Sequence, residues 1–440
     1  MAKLLEMASL ACEVAKSEGA EWVQVTASES LDIFVELAKS SLKAASAAAG
    51  QGLSIRAFVK GGLGSVSTEA LNERACRKAA KEAAQMASAA EPDPDFVALP
   101  SPEDAEEVEG LFDDRIAGLP SEKLVEVAGR NIEGAESVFG EVILSGGVGL
   151  HSAHSALANS AGVRRERKST FLGASTFAVV KQGSDVGSFY DFDYGRRLED
   201  VALEELGAKA TRQALTFLGA RHPQTRRMAL VLGPLASFSL LRTLAYSASA
   251  EGIQRKRSFL TDMRGKQIVS EHLTIIDDGF IPRGLYSGTY DGEGALRRRV
   301  KIIDKGVFAD LLHNSYTAGK AGEPNNGHGT SGGGISATNL RPELGKMSAE
   351  DIIKDTEEGL YINMGGLGPN PASGDVSASV DFGFKIENGR LVFPVINAMV
   401  GGHIFEILKK IDAVSSDYRE EPGNIMPTIR IQDVQVVGKG

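Results

Sequence analysis

Hydrolysis by a bound zinc ion is the first chemistry to test on this chain, because it needs few side chains at strict spacing. About three protein ligands must leave one position open for water, and a general base must stand beside it. The chain has seven histidines, His151, His154, His222, His272, His313, His328 and His403, and none falls in an HExxH, HExxxH or HxxEH run. His151 and His154 stand three apart, which on a helix would share a face, but the surrounding LHSAHSALANSAG reads as strand and turn. On a strand, residues three apart point to opposite faces, so both are expected at the surface.

Other chemistries fare no better by spelling. Gly327-His328-Gly329-Thr330-Ser331-Gly332 fits GxGxxG, but a pyrophosphate cradle needs an apolar strand before it and a helix after it. Asp375 and Asp381 flank the strand that contains SASVDFG. Paired carboxylates can do acid–base work, yet no nucleophile or base stands at a usable spacing, so solvated strand-end acids are expected. Arg297-Arg298-Arg299 with Lys301 would alternate faces on a strand and form a salt-bridged sheet surface. There is no GxSxG elbow, and neither Cys12 nor Cys76 sits beside a histidine signature, which removes the serine- and cysteine-hydrolase readings.

The elements that must position any site fall into three blocks. Leu4 to Lys16 has the period of an amphipathic helix; Trp22 to Ala27 and Leu31 to Leu37 alternate as strands. Leu53 to Val59 pairs across Gly61-Gly62 with Gly64 to Ser67 as a hairpin, and Glu69 to Ala89 is a helix. EPDPDFVALPSP (91–102), with four prolines and acidic neighbours, is a linker. After a helix at Leu124 to Ala135, strands return from Val142 through Asp191. There Ala174 to Val180, Gly183, Gly187-Ser188 and a helix Leu198 to Phe217 echo the order of the first block. This suggests duplication.

Beyond Pro223 the character changes. Met228 to Leu232 is a buried strand, Ser237 to Ala250 a helix, and strands follow at 297–311, 359–364, 376–386, 391–395 and 428–437, with a short helix at 403–411. The fold class is α+β: duplicated strand-and-helix layers, then a mainly antiparallel β-sheet or barrel domain. The divisions are an N-terminal α/β domain (1–90), the linker (91–102), a central α/β domain (103–222) and a C-terminal β-rich domain (223–440).

Composition narrows the class of partner. A hydrophobic fraction of 42% and a charged fraction of 24% are those of a soluble globular protein. The net charge of -10 gives no support to sequence-blind nucleic-acid binding, which needs a basic surface to displace counterions. Two cysteines imply no disulfide framework. Glu6 and Glu13 interrupt the first apolar stretch, and no run has transmembrane length, so a cytoplasmic protein without membrane contact is expected.

Three ordered motifs, GLSIRAFVKGGLGSVST (52–68), RKRSFLTDMRGKQ (255–267) and FKIENGRLVFPV (384–395), resemble the TldD/PmbA family of peptidases, in its PmbA (TldE) branch. The resemblance covers the chain from the Trp22 strand to the last strand. In the catalytic TldD branch the helix after the Met228 strand carries HExxxH, and a cysteine near the C-terminus completes the zinc site. The matching positions here are Arg242, Thr243 and Ser247, and no cysteine follows Cys76. Arginine stays protonated and has no lone pair for a cation, and threonine cannot serve as a carboxylate base.

The resemblance therefore implies a non-catalytic subunit with no cofactor of its own, zinc being expected in a TldD-like partner. The implied assembly is a heterodimer with that partner, or a homodimer, acting on small unfolded or precursor peptides. In the family the glycine-rich segment lines the substrate chamber, which makes Gly327, His328, Gly329, Gly332 and Gly333 candidates for peptide binding. Glycine suits a backbone approached by an extended peptide; a plain glycine loop is the other reading. Alternatives are a stand-alone homodimeric peptide-binding protein, and a hydrolase using residues such as His328 with Asp375. A modulator of DNA gyrase, an older view of the family, draws no support from the acidic charge.

Overall fold

A computed structural model describes residues 2–380 and 382–438; Asp381 therefore lies outside the described residues. Helix α1 (Ala2–Ser17) leads into three long strands, β1 (Trp22–Ala38), β2 (Ser41–Val59) and β3 (Gly62–Thr68), followed by helix α2 (Glu73–Ala89). After a stretch without regular structure and the single turn α3 (Asp114–Ala117), the order repeats. Helix α4 (Ser121–Val138), strands β4 (Ile143–Asn159), β5 (Arg164–Gln182) and β6 (Asp185–Gly195), and helix α5 (Leu206–Thr216) retrace it. The six strands form one antiparallel sheet in the order β3-β2-β1-β4-β5-β6. The second unit is thus added to the first through its own first strand.

One face of this sheet is closed by helices. Val23, Val25, Ala27, Leu53 and Ile55 pack under α1 and α2, and Ile33, Val35, Leu37, Val148, Leu172 and Phe189 pack with residues of α4 and α5. The period of two along each strand sends these residues to the same side. A glycine at matching positions lets each long helix press on its sheet. A Cβ at Gly64 would lie 2.1 Å from the Ala83 carbonyl oxygen of α2, and one at Gly187 would lie 2.2 Å from that of Ala214 in α5. The echo between the two blocks therefore has a packing cause.

The C-terminal part builds two further sheets. Strand β7 (Arg226–Leu232) leads into α6 (Pro234–Ser247) and α7 (Ala250–Gln254). A four-stranded sheet, in the order β10-β9-β8-β11, follows from β8 (Ile275–Asp278), β9 (Val300–Asp304), β10 (Val307–Phe308) and β11 (Asn339–Pro342). Helices α8 (Ser315–Ala321) and α9 (Ala349–Lys354) lie before and after β11 in the chain. The last sheet has eight strands: β12 (Glu358–Met364), β13 (Asp375–Val380), β14 (Phe382–Glu387), β15 (Arg390–Val395), β16 (Ala398–His403), β17 (Ile411–Glu421), β18 (Asn424–Val437) and β7, with α10 (Ile404–Leu408) after β16. Its order is β13-β16-β18-β7-β12-β14-β15, with β17 on β18. It is mixed, since β7 and β12 run parallel while the other pairs are antiparallel, and it curls into a half-barrel. No described helix is long and apolar enough to cross a membrane.

Several expected boundaries move, each for a local reason. The two strands expected before Ala38 are one, because β1 is hydrogen-bonded on both sides through the polar Ser28–Ser30 stretch. Helix α2 begins at Glu73 rather than Glu69, since Asn72 caps it, accepting from the Ala75 N–H at 3.0 Å. The helix expected over 198–217 begins only at Leu206; Val201 and Ala202 are not helical, and the Ala202 N–H donates to Asp193 Oδ2 at 2.7 Å. Helix α6 begins at Pro234, where proline's fixed φ suits a first turn. The strand expected from Arg297 starts at Val300, because the Arg297 and Arg298 N–H groups bond to the carbonyls of Thr289 and Asn326 instead.

Candidate functional site

Helix α6 follows its strand closely, Gly233 donating to the Ile362 carbonyl at 2.8 Å. Leu240, Leu241, Leu244 and Ala245 are buried in the C-terminal core, so Phe238, Arg242 and Tyr246, four residues apart, turn outward together. They face an open groove of about 760 Å³. Its opposite wall is the uncovered face of the six-stranded sheet, represented by Tyr190 and Phe192 of β6, and the Met364–Gly366 turn closes one side.

That uncovered face is floored with glycine. Phe34, Gly149, Gly173 and Tyr194 lie in register across four neighbouring strands. A Cβ at Gly149 would meet the Phe34 ring at 2.9 Å, and one at Gly173 would meet the Tyr194 ring at 2.2 Å. The rings lie flat over the glycines and leave a smooth aromatic shelf, continued by the Phe192–Tyr194 stack with centroids 4.9 Å apart.

Arg242 and Thr243 are brought to this groove, and Ser247 is not. Thr243 Oγ1 donates to the Ser239 carbonyl one turn back at 2.9 Å. The Arg242 guanidinium lies 5.7 Å from the Phe238 ring centroid and 5.2 Å from that of Tyr286, within cation–π range. Among the described residues it makes no salt bridge. Ser247 is buried with its Oγ unpartnered and lines a smaller recess of about 240 Å³ with Tyr246, Arg257 and Ser258. Guanidinium and two hydroxyls do not fit a zinc ion, which takes thiolate, imidazole or carboxylate donors.

The glycine segment occupies a different place and divides in two. Gly327, His328 and Gly329 are buried, whereas Gly332 and Gly333 border a third recess of about 450 Å³ with Arg56, Phe58 and Tyr316. His328 is 1% exposed, its Nε2 2.9 Å from Asp277 Oδ1 and its Nδ1 3.0 Å from Asn326 Oδ1. Asp375, the other half of the considered hydrolase pair, is exposed on β13 and bonded to Ser373 Oγ at 2.7 Å. The carboxylate beside His328 is Asp277, so this pair is not assembled. His151 and His154 do point to opposite faces, toward Asp32 and Glu166 respectively.

Around the buried glycines lies a charge cluster that spelling alone did not single out. Asp291 accepts from the N–H groups of Glu293, Ala295 and Gly329 at 2.7–2.9 Å. Glu293, also buried, pairs with Arg56 of β2 at 3.1 Å, and Arg297 Nη1 donates to the Gly327 carbonyl. Gln24 Nε2 donates to the carbonyls of Gly292 and Ser331. The segment DGEG (291–294) was the available signal, two acids two residues apart between glycines.

Burial, aided by repulsion from Glu293, pushes the Asp291 carboxyl up to about 6. A carboxyl whose folded pKa exceeds its unfolded value stabilises the fold fully below the unfolded value of about 4, and that contribution is lost as pH rises through about 6. Replacing Asp291 by asparagine is expected to reduce the stability change between those limits by roughly 3 kcal/mol at most. Urea unfolding of both proteins at pH 4.5 and 7 measures it; parallel slopes would assign the pH dependence elsewhere.

The three recesses are neighbours that share lining side chains. Tyr246 and Pro371 border both the first and the second, and Glu251 and Arg255 border both the second and the third. Models of PmbA/TldA metallopeptidase domain 1, central domain and C-terminal domain match residues 23–89, 114–218 and 225–438, in that order. The Escherichia coli O157:H7 protein named metalloprotease PmbA is 26% identical over 451 residues, covering 99% of this chain and 97% of its own. An uncharacterized protein of Methanocaldococcus jannaschii is 28% identical over 429 residues, covering 94% and 95%. The crystal structure of TldE from Thermococcus kodakarensis shares the fold at a TM-score of 0.88 and 23% identity, covering 97% of this chain and 99% of that one.

Proposed function

The chain belongs to the PmbA/TldD metallopeptidase family, and from that premise we propose that it is a non-catalytic subunit that walls a peptide chamber. A TldD-like partner supplies the zinc and the hydrolysis. The observation that carries this reading is the set of side chains on the outward face of α6. Arg242 and Thr243 line its groove, and by the family resemblance they occupy the positions of a zinc ligand and a base, whose chemistry neither side chain can supply. The three recesses, which share lining side chains from this helix to Gly332 and Gly333, support an extended chain as occupant over a compact small molecule. Small unfolded peptides are the substrate class that such a set of recesses admits.

The test is hydrolysis of an unstructured, internally quenched peptide by this chain alone, by a TldD-like chain bearing HExxxH, and by the two mixed. The expected outcome is no turnover alone, turnover in the mixture that a chelator abolishes, and zinc far below one ion per chain in the purified protein. Chelator-insensitive hydrolysis by this chain alone, or stoichiometric zinc after dialysis, would overturn the proposal.

A further inference from the structure

The groove beside α6 has an uneven chemistry. Its lining is aromatic and apolar on nearly every side, from Phe192, Leu235, Phe238, Met364 and Pro369, and among the described residues Arg242 is the only charged side chain in it. The guanidinium is exposed and held between two rings, so its position is set without use of its N–H donors. Among the described residues, two acids of its surroundings are engaged elsewhere. Glu421, within electrostatic reach, is buried and accepts from Asn424 Nδ2 at 2.8 Å. Asp191 pairs with Arg419 at 2.9 Å, and the Arg419 side chain also lies over Phe192. A planar, pre-oriented fork with free donors matches a carboxylate in bidentate fashion.

We infer that Arg242 receives the C-terminal carboxylate of a peptide whose last residue is apolar or aromatic, and so fixes which end of the chain lies at α6. This deepens the peptide-chamber reading and rests on it. The choice of a chain terminus over an acidic side chain follows from the surroundings. A terminal residue presents a carboxylate and a separate side chain from one Cα, so the apolar wall beside Arg242 is filled at the same time. Aspartate or glutamate would present the carboxylate as the side chain and leave that wall wet. The aromatic shelf formed by Phe34, Tyr194 and their glycines lies on the same uncovered sheet face as Tyr190 and Phe192, where preceding residues can lie.

The test uses the full chain and four fluorescein-labelled hexapeptides read by anisotropy. One ends in Leu with a free carboxylate, one is its C-terminal amide, one ends in Asp amide, and one carries an internal Glu with an amidated end. The free acid is expected to bind at least tenfold more tightly than the three amides. Arg242→Gln should remove that difference and Arg242→Lys should restore part of it, while Arg212→Gln, an exposed cation on α5 outside the three recesses, should leave it in place. Equal binding of acid and amide, or an unchanged preference in Arg242→Gln, would overturn the inference while leaving peptide binding itself standing. Tighter binding of the internal-Glu or Asp peptides would overturn it in favour of side-chain recognition. No binding of any peptide, alone or with the TldD-like partner, would sink the chamber reading and this inference with it.

Discussion

Replacing Arg56 by methionine is expected to cost about 3–5 kcal/mol, the loss typical when one partner of a buried ion pair is removed. Arg56 belongs to the first sheet, while its carboxylate, Glu293, belongs to the C-terminal part and is 1% exposed. Without the guanidinium, Glu293 keeps only the Ser315 N–H at 2.8 Å and stands near Asp291, a second buried acid. The two like charges would then share one low-dielectric site. The measurement is urea unfolding of Arg56→Met, Glu293→Gln and the double variant. Because Glu293→Gln removes the charge that Arg56 neutralises, the double variant should lose much less than the sum of the singles. Additive losses would show that Arg56 acts through packing against Phe58 and Gly333 rather than through the pair.

Alanine at Gly64 or at Gly187 is expected to destabilise the fold by about 1–3 kcal/mol. The added methyl would overlap a helix carbonyl, Ala83 in one unit and Ala214 in the other, and a helix backbone cannot swing aside as the end of a side chain can. Either the helix lifts from the sheet, opening voids among the alanines beneath it, or the strand bends. Gly129 provides the contrast, since it lies within α4 and a Cβ there would meet nothing within 4 Å. Alanine at that position should stabilise by about 0.5–1 kcal/mol through helix propensity alone. Thermal unfolding of the three variants decides the matter; similar behaviour at all three positions would refute the close-approach argument.

The duplication itself was legible, because the glycine that admits a helix carbonyl must recur wherever the unit recurs. Gly64-Ser65 and Gly187-Ser188 were visible as an echo before their packing was known. The α+β class and the two-part order were legible for a related reason: strand alternation and helical period record which face of each element meets a core. That Arg242 cannot itself ligate a cation was legible as well, since a guanidinium lacks a lone pair in any surroundings.

Which residues share a site was set by long-range packing. Gly327, His328, Gly329, Gly332 and Gly333 are neighbours in sequence, yet the first three are buried beside Asp277, Asp291 and Arg297 and the last two border a recess. Ser247 is one and a half turns from Arg242, and that rotation alone carries it out of the groove. Tyr190 and Phe192, more than forty residues before Arg242, form its opposite wall. Sequence patterns report the period of an element and so the side it buries, because that is local and repeats. The meeting of a sheet face with a helix face depends on long-range packing, and no spacing along the chain encodes it.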